Sequence, residues 1–201
     1  MNRGVKPLVF VLCLVPAAWL AYAVPTGRTS ANPAEDIILT TGVWSLRLLL
    51  ATLAITPLRR VTGWNTLIAY RRMLGLFAFF YAVLHLAAYV AFDRFFALDE
   101  VLADVAERPF IAAGMLAFAL MVPLAVTSTR GWIRALGRRW QLLHRLVYVS
   151  AAAACVHFLW KVKVVAGEPV YYAAALALLL AFRLIRRLRT AALARRQPAR
   201  A

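Results

Sequence analysis

Apolar residues gather along this chain in long runs, and charged residues collect in the gaps between them. A helix needs about 20 mostly apolar residues to cross a hydrocarbon core of roughly 30 Å. Six runs qualify, at 5–24, 37–56, 73–92, 110–127, 142–165 and 170–183. The predicted fold is all-α, an integral membrane six-helix bundle. Residues 1–201 read as a single transmembrane domain, with no linker long enough to divide it and no visible internal repeat. Pro7 lies at the start of the first run, where a helix tolerates it, while Pro123 is expected to kink the end of the fourth. Gly167, Glu168 and Pro169 mark a tight turn between the last two runs.

Composition agrees, since 64% of the residues are apolar, well above a soluble domain. The formal charge of +16 would also suit a nucleic-acid partner, so its distribution has to decide. Arg3 and Lys6 precede the first run, Arg59, Arg60, Arg71 and Arg72 separate the second from the third, and Arg130, Arg134, Arg138 and Arg139 separate the fourth from the fifth. Seven further arginines, from Arg183 to Arg200, follow the sixth. The alternate gaps hold only Arg28, then Arg94 and Arg108, then Lys161 and Lys163. By the positive-inside rule both termini are cytoplasmic, and nucleic-acid binding gives no reason for such alternation. A signal peptide ending near Ala21-Tyr22-Ala23 is the alternative for the first run, which outlasts the usual core of about 7–15 residues. Cys13 and Cys155 lie within apolar runs and read as small buried hydrophobes.

Two gaps carry more than charge. Residues 93–108 place Phe95, Phe96, Leu98, Val101, Leu102 and Val105 at roughly helical spacing among five of the chain's eight acids. They predict a short helix on the outer membrane surface, with a solvated acidic face or a docking surface for an external partner. Residues 130–141 combine Trp132 and Trp140 with four arginines, a usual headgroup anchor and a candidate place to meet a flavin.

The chain has three histidines, and His85, His144 and His157 all fall in the third and fifth runs. Ionisable groups inside a membrane are rare and face the bundle interior. Zinc would ask for a fourth Cys or carboxylate ligand nearby, and none clusters there. Haem needs only one or two axial ligands from opposite sides. The third and fifth spans run parallel. His85 lies 13 residues past Arg72 and His157 lies 18 past Arg139, so at about 1.5 Å per residue both belong to the outer half of the bilayer. They form the candidate axial pair of one haem. His144, 13 residues before His157, lies roughly 20 Å nearer the cytoplasm. Arg71 stands 14 residues before His85 at the same level. A separation of 14 returns to one helix face and 13 does not, so a local bulge is expected in the fifth helix. Tyr81, Tyr148 and Trp160 read as packing residues.

The segments RRMLGLFAFFYAVLHLAAY around His85 and RRWQLLHRLVYVSAAAACVHFLWKVK around His144 and His157 resemble the MsrQ family, also called YedZ. These are haem-binding membrane subunits of the periplasmic methionine sulfoxide reductase system, within the ferric-reductase-like transmembrane superfamily. The resemblance implies haem b, one or two per chain, and an associated FMN. It also implies an inner-membrane location and electrons from the quinone pool or a cytoplasmic flavin donor. Their acceptor would be MsrP, a periplasmic molybdopterin subunit that reduces methionine sulfoxide in oxidised proteins. Superfamily relatives use four histidines for two stacked haems, and here Arg71 occupies the first of the four positions. The resemblance makes His85 and His157 iron ligands, with His144 and Arg71 serving an inner haem or another cofactor. Arginine stays protonated, so Arg71 suits a haem propionate better than iron. No glycine pair makes GxGxxG, so reducing power is expected from elsewhere. Two rival functions fit the same residues: a ferric or cupric reductase, and a proton channel or transporter relaying through histidines without haem.

Overall fold

The computed structural model describes residues 5–162 and 167–196, with backbone alone for 194–196. The helices are α1 (Val5–Ala23), α2 (Pro33–Thr62), α3 (Ile68–Ala88), α4 (Leu98–Glu107) and α5 (Pro109–Val126). They continue with α6 (Arg130–Leu136), α7 (Arg138–Leu143), α8 (Leu146–Lys161) and α9 (Glu168–Arg196). Every regular element among the described residues is helical, and six passes are long and apolar enough to span a bilayer, α7 and α8 together making the fifth. Large apolar side chains stay exposed on the bundle's outside, such as Leu8 at 57% and Leu178 at 73%. Lipid, as apolar as they are, is their natural surrounding.

Helix ends follow local chemistry. Asn32 caps α2 by accepting from the Glu35 backbone N–H at 3.3 Å, and Pro33 opens the helix. Gly63, in the left-handed region at φ 75°, closes it with its N–H on the Arg59 carbonyl. Several lengths correct the expectation from hydropathy. α2 has 30 residues, against an apolar run of 20, because helical propensity continues through Arg59 and Arg60 after apolarity stops. α9 likewise continues 13 residues beyond Arg183 as an arginine-, leucine- and alanine-rich helix. The fifth pass stops at Lys161, and Val162 is extended. Residues 163–165 of that run lie outside the described residues. Glu168 and Pro169 belong to the first turn of α9 rather than to the turn before it, since proline suits a helix start.

α2 pairs with α3 and α5 with α8, the two pairs face each other, and α1 and α9 pack on the outside of this four-helix core. Leu46, Leu49 and Leu53 of α2 meet Phe77 and Tyr81 of α3, Met121 of α5 and Val147 and Ala151 of α8. Ala78 and Ala151 are fully buried, which lets backbones approach. Cys13 and Cys155 belong to the same buried cluster.

α1 is bound to this core by one polar contact. Pro16 interrupts α1 and has no N–H for the ladder. Beside it the fully buried Tyr81 hydroxyl donates to the Cys13 carbonyl at 2.7 Å and accepts from the Ala17 N–H at 3.1 Å. The hydroxyl thus sits between two groups that an unbroken helix would join directly. Tyr81→Phe is expected to cost about 1–3 kcal/mol, the penalty for stranding a buried polar group. Thermal unfolding in detergent, followed by tryptophan fluorescence, should show a lower Tm. An unchanged Tm would mean that α1 re-forms its own hydrogen bond.

Candidate functional site

His85 on α3 and His157 on α8 are brought together, their ring centroids 6.0 Å apart and their planes at 78°. Each ring is fixed from behind. His85 Nδ1 lies 2.8 Å from the Ile38 carbonyl oxygen of α2, and His157 Nδ1 lies 2.6 Å from the Phe110 carbonyl of α5. A carbonyl only accepts, so both Nδ1 atoms carry the proton and both Nε2 atoms keep a free lone pair. One turn after each carbonyl stands a glycine, Gly42 or Gly114, directly against the ring.

These positions repeat at one offset. Ile38 and Phe110, Gly42 and Gly114, and His85 and His157 are each 72 residues apart. The Ser45 hydroxyl donates to the Ala78 carbonyl, while 72 residues on the bond runs in reverse, from Ser150 to Ala117, both at 2.9 Å. The molecule therefore contains an internal repeat that the sequence reading missed, because little beyond glycine and histidine is shared. The legible signal was a glycine 43 residues before a histidine, occurring twice.

Between the pairs lies a cavity of about 240 Å³, lined by both histidines, both glycines and apolar residues including Leu46, Leu49, Phe118 and Met121. A packed interior tolerates few voids larger than a water molecule, so this is the candidate binding cavity. Tyr89, Asp93, Arg108 and Lys161 line it as well. Among the described residues no group of three His, Cys, Asp or Glu side chains could hold a metal ion. The facing pair therefore suits a metal that brings its other ligands with it.

His144 and Arg71 lie elsewhere, outside this cavity lining. The helix breaks at His144 and Arg145, between α7 and α8, an irregularity in the pass where a local bulge was expected. The His144 ring stacks on Trp140 at 3.8 Å between centroids, and Trp140 Nε1 donates to the Thr127 carbonyl at 2.9 Å. Trp140 is thus a support for His144 as well as an anchor. Arg71 is half-buried near the start of α3.

Residues 93–108 contain the expected short helix, though over a shorter stretch. It begins only at Leu98. Phe95 and Phe96 precede it at φ 46° and 64°, in the left-handed region, with rings exposed. Asp104 is no solvated acid but 6% exposed. It takes Arg94 Nη2 at 2.5 Å, Arg108 Nε at 3.0 Å and the Tyr89 hydroxyl. Sequence reasoning had no means to find this contact, because Tyr89 sits in a π-turn ending α3 and the partners converge only in space.

The fold and site define a multi-pass helical membrane protein with a paired-histidine cavity in its core. Residues 41–155 match the family model described as ferric reductase like transmembrane component. A protein of Polaromonas naphthalenivorans named "Protein-methionine-sulfoxide reductase heme-binding subunit MsrQ" is 48% identical over 186 residues, covering 91% of this chain and 85% of that protein. Proteins of the same name from Herminiimonas arsenicoxydans and Brucella ovis are 53% identical over 157 residues and 47% over 179. They involve 78% and 89% of this chain and 72% and 81% of their own lengths. The chain belongs to the MsrQ family of ferric-reductase-like transmembrane components.

Burial works against ionisation of Asp104, but the Tyr89 hydrogen bond and the Arg108 and Arg94 charges outweigh it and hold the carboxyl below its ordinary 3.8. A depressed pKa in the folded state contributes stability that is fully present above the unfolded value and lost as pH falls through the folded one. Hydrogen exchange of residues 94–108 should therefore stay slow from pH 7 down to about 4 and accelerate only below. Asp104→Asn should exchange fast throughout. Equal protection of both proteins at pH 7 would contradict a fastening role for this carboxylate.

Proposed function

We propose that this chain is a haem b subunit of the bacterial inner membrane that passes electrons outward to periplasmic MsrP, which reduces methionine sulfoxide in oxidised proteins. The observation that carries the reading is the histidine pair. A metal–imidazole bond is about 2 Å long and the ring centre lies roughly 1 Å behind the nitrogen, so two opposed axial ligands hold their ring centres roughly 6 Å apart. His85 and His157 stand 6.0 Å apart with both Nδ1 protons already engaged. A haem held there supplies one-electron exchange at its iron.

The remaining parts follow from the residues around the pair. Arg108 and Lys161 line the cavity, where they can meet propionate carboxylates. The apolar lining excludes water and keeps protons from the site. Arg71 and His144 lie toward the basic, cytoplasmic end by the positive-inside rule. His144 serves a second haem or the FMN, and Arg71 serves a carboxylate or phosphate of that group. Electrons enter at this end from the quinone pool or a flavin donor. The names of the MsrQ relatives support the haem and the reductase system.

A second reading is favoured by the family description: direct reduction of ferric or cupric ions at the outer face. It is distinguished by metal reduction that needs no MsrP. The main test is a visible spectrum with pyridine haemochrome quantitation on wild type and three variants. His85→Ala and His157→Ala are each expected to lose the same haem, with affinity down by at least about 10–100-fold, while His144→Ala retains it. Absence of a Soret band from the wild type would sink the reading in favour of a haem-free proton pathway.

A further inference from the structure

We propose that Gly42 and Gly114 are positioning residues for the two axial imidazoles, holding each Nδ1–H on its carbonyl and the two ring planes near perpendicular. The inference rests on the haem reading and concerns how this chain prepares its ligands.

A glycine inside a helix costs roughly 1 kcal/mol against alanine, so its presence there asks for a reason. Neither residue has a positive φ. Close helix packing, the common reason in membranes, is not what a side chain would disturb here. A Cβ at residue 42 would come 2.9 Å from His85 Nδ1 and 3.0 Å from its Cε1. One at residue 114 would come 2.7 Å from His157 Nδ1, 2.9 Å from Cε1 and 3.1 Å from Cγ. The conflict falls on the edge of the ring that carries the hydrogen bond. To relieve it the imidazole must slide or rotate, and hydrogen bonds of 2.8 and 2.6 Å weaken steeply with such misalignment. Gly75 differs, because a Cβ there meets only Thr52 at an ordinary 3.7 Å.

The same arrangement on two separate helix pairs, at one offset, argues against coincidence. Each unit has a carbonyl, a glycine one turn on and a histidine 43 residues later. A bonded Nδ1–H raises the basicity of the opposite nitrogen and fixes ring orientation. Weakening that bond makes imidazole a poorer donor, favours the reduced iron and raises the midpoint potential.

The test compares the purified full-length protein with Gly42→Ala, Gly114→Ala and the control Gly75→Ala. Haem content, midpoint potential and the ferric low-spin electron paramagnetic resonance spectrum are read for each. Wild type should show the strongly anisotropic signal of near-perpendicular axial planes. Both alanine variants should shift that signal, raise the potential and weaken haem binding by about 10–100-fold, Gly114→Ala more than Gly42→Ala. Gly75→Ala should match wild type. Unchanged signal and potential in the first two variants would overturn the assignment while leaving the haem reading intact. If those variants fail to fold, the wild-type spectrum decides alone, and a rhombic signal of parallel planes overturns the proposal. A wild type without a Soret band overturns both readings.

Discussion

Everything in the centre of this bundle depends on a proton donor that has no water to bond. An imidazole N–H buried among membrane-spanning helices must find an acceptor within the protein. The acceptors at hand are helix carbonyls, whose second lone pair is free. His85 takes Ile38 on the neighbouring helix and His157 takes Phe110. A ring can lie that close to a helix backbone only where the backbone is bare, hence the glycines. With the rear nitrogens satisfied, the two rings stand 6.0 Å apart, centroid to centroid, in the wall of one cavity. Local satisfaction of two hydrogen bonds thus sets helix pairing, ring orientation and the shape of the site together.

The cavity lies on the boundary between two similar helix pairs, so each pair contributes one histidine to its wall. The repeat fails at the other end of the bundle. Seventy-two residues after Arg71 stands Leu143, and 72 before His144 stands Arg72. The helix breaks at His144 and Arg145, and His144 lies outside the cavity that His157 lines. One end of the molecule is symmetric, with two equivalently held histidines. The other is asymmetric, with a histidine stacked on Trp140 and an arginine nearby.

Most of the architecture was legible in the chain because lipid imposes a coarse code. Six apolar runs, basic loops in alternate gaps and three histidines on two spans lead directly to a bundle with a histidine pair at one depth. The 13-residue interval between His144 and His157 led to the expectation of an irregularity in the fifth pass, since 13 residues do not return to one face of an ideal helix. Features that arise from packing were not legible. Tyr81 read as a packing residue, yet its hydroxyl secures α1 only because Pro16 lies beside it in space. Helix ends extended past the apolar runs because propensity, not hydropathy, ends a helix. The glycines and their carbonyls escaped notice because backbone acceptors leave no trace in residue identity.

The acids between α3 and α5 show how far charge counting can mislead. Asp104 would pass for another solvated residue of an acidic surface helix, yet it gathers two arginines and a tyrosine around one carboxylate. Two of those three partners, Tyr89 and Arg108, also line the cavity. The surface helix and the cavity wall are consequently joined through one polar cluster. Leu98 and Leu102 remain exposed on the other side of α4 at 66% and 70%, where headgroups or a partner would press on them. Arg108 thus joins the α4 carboxylate directly to the wall of the cavity.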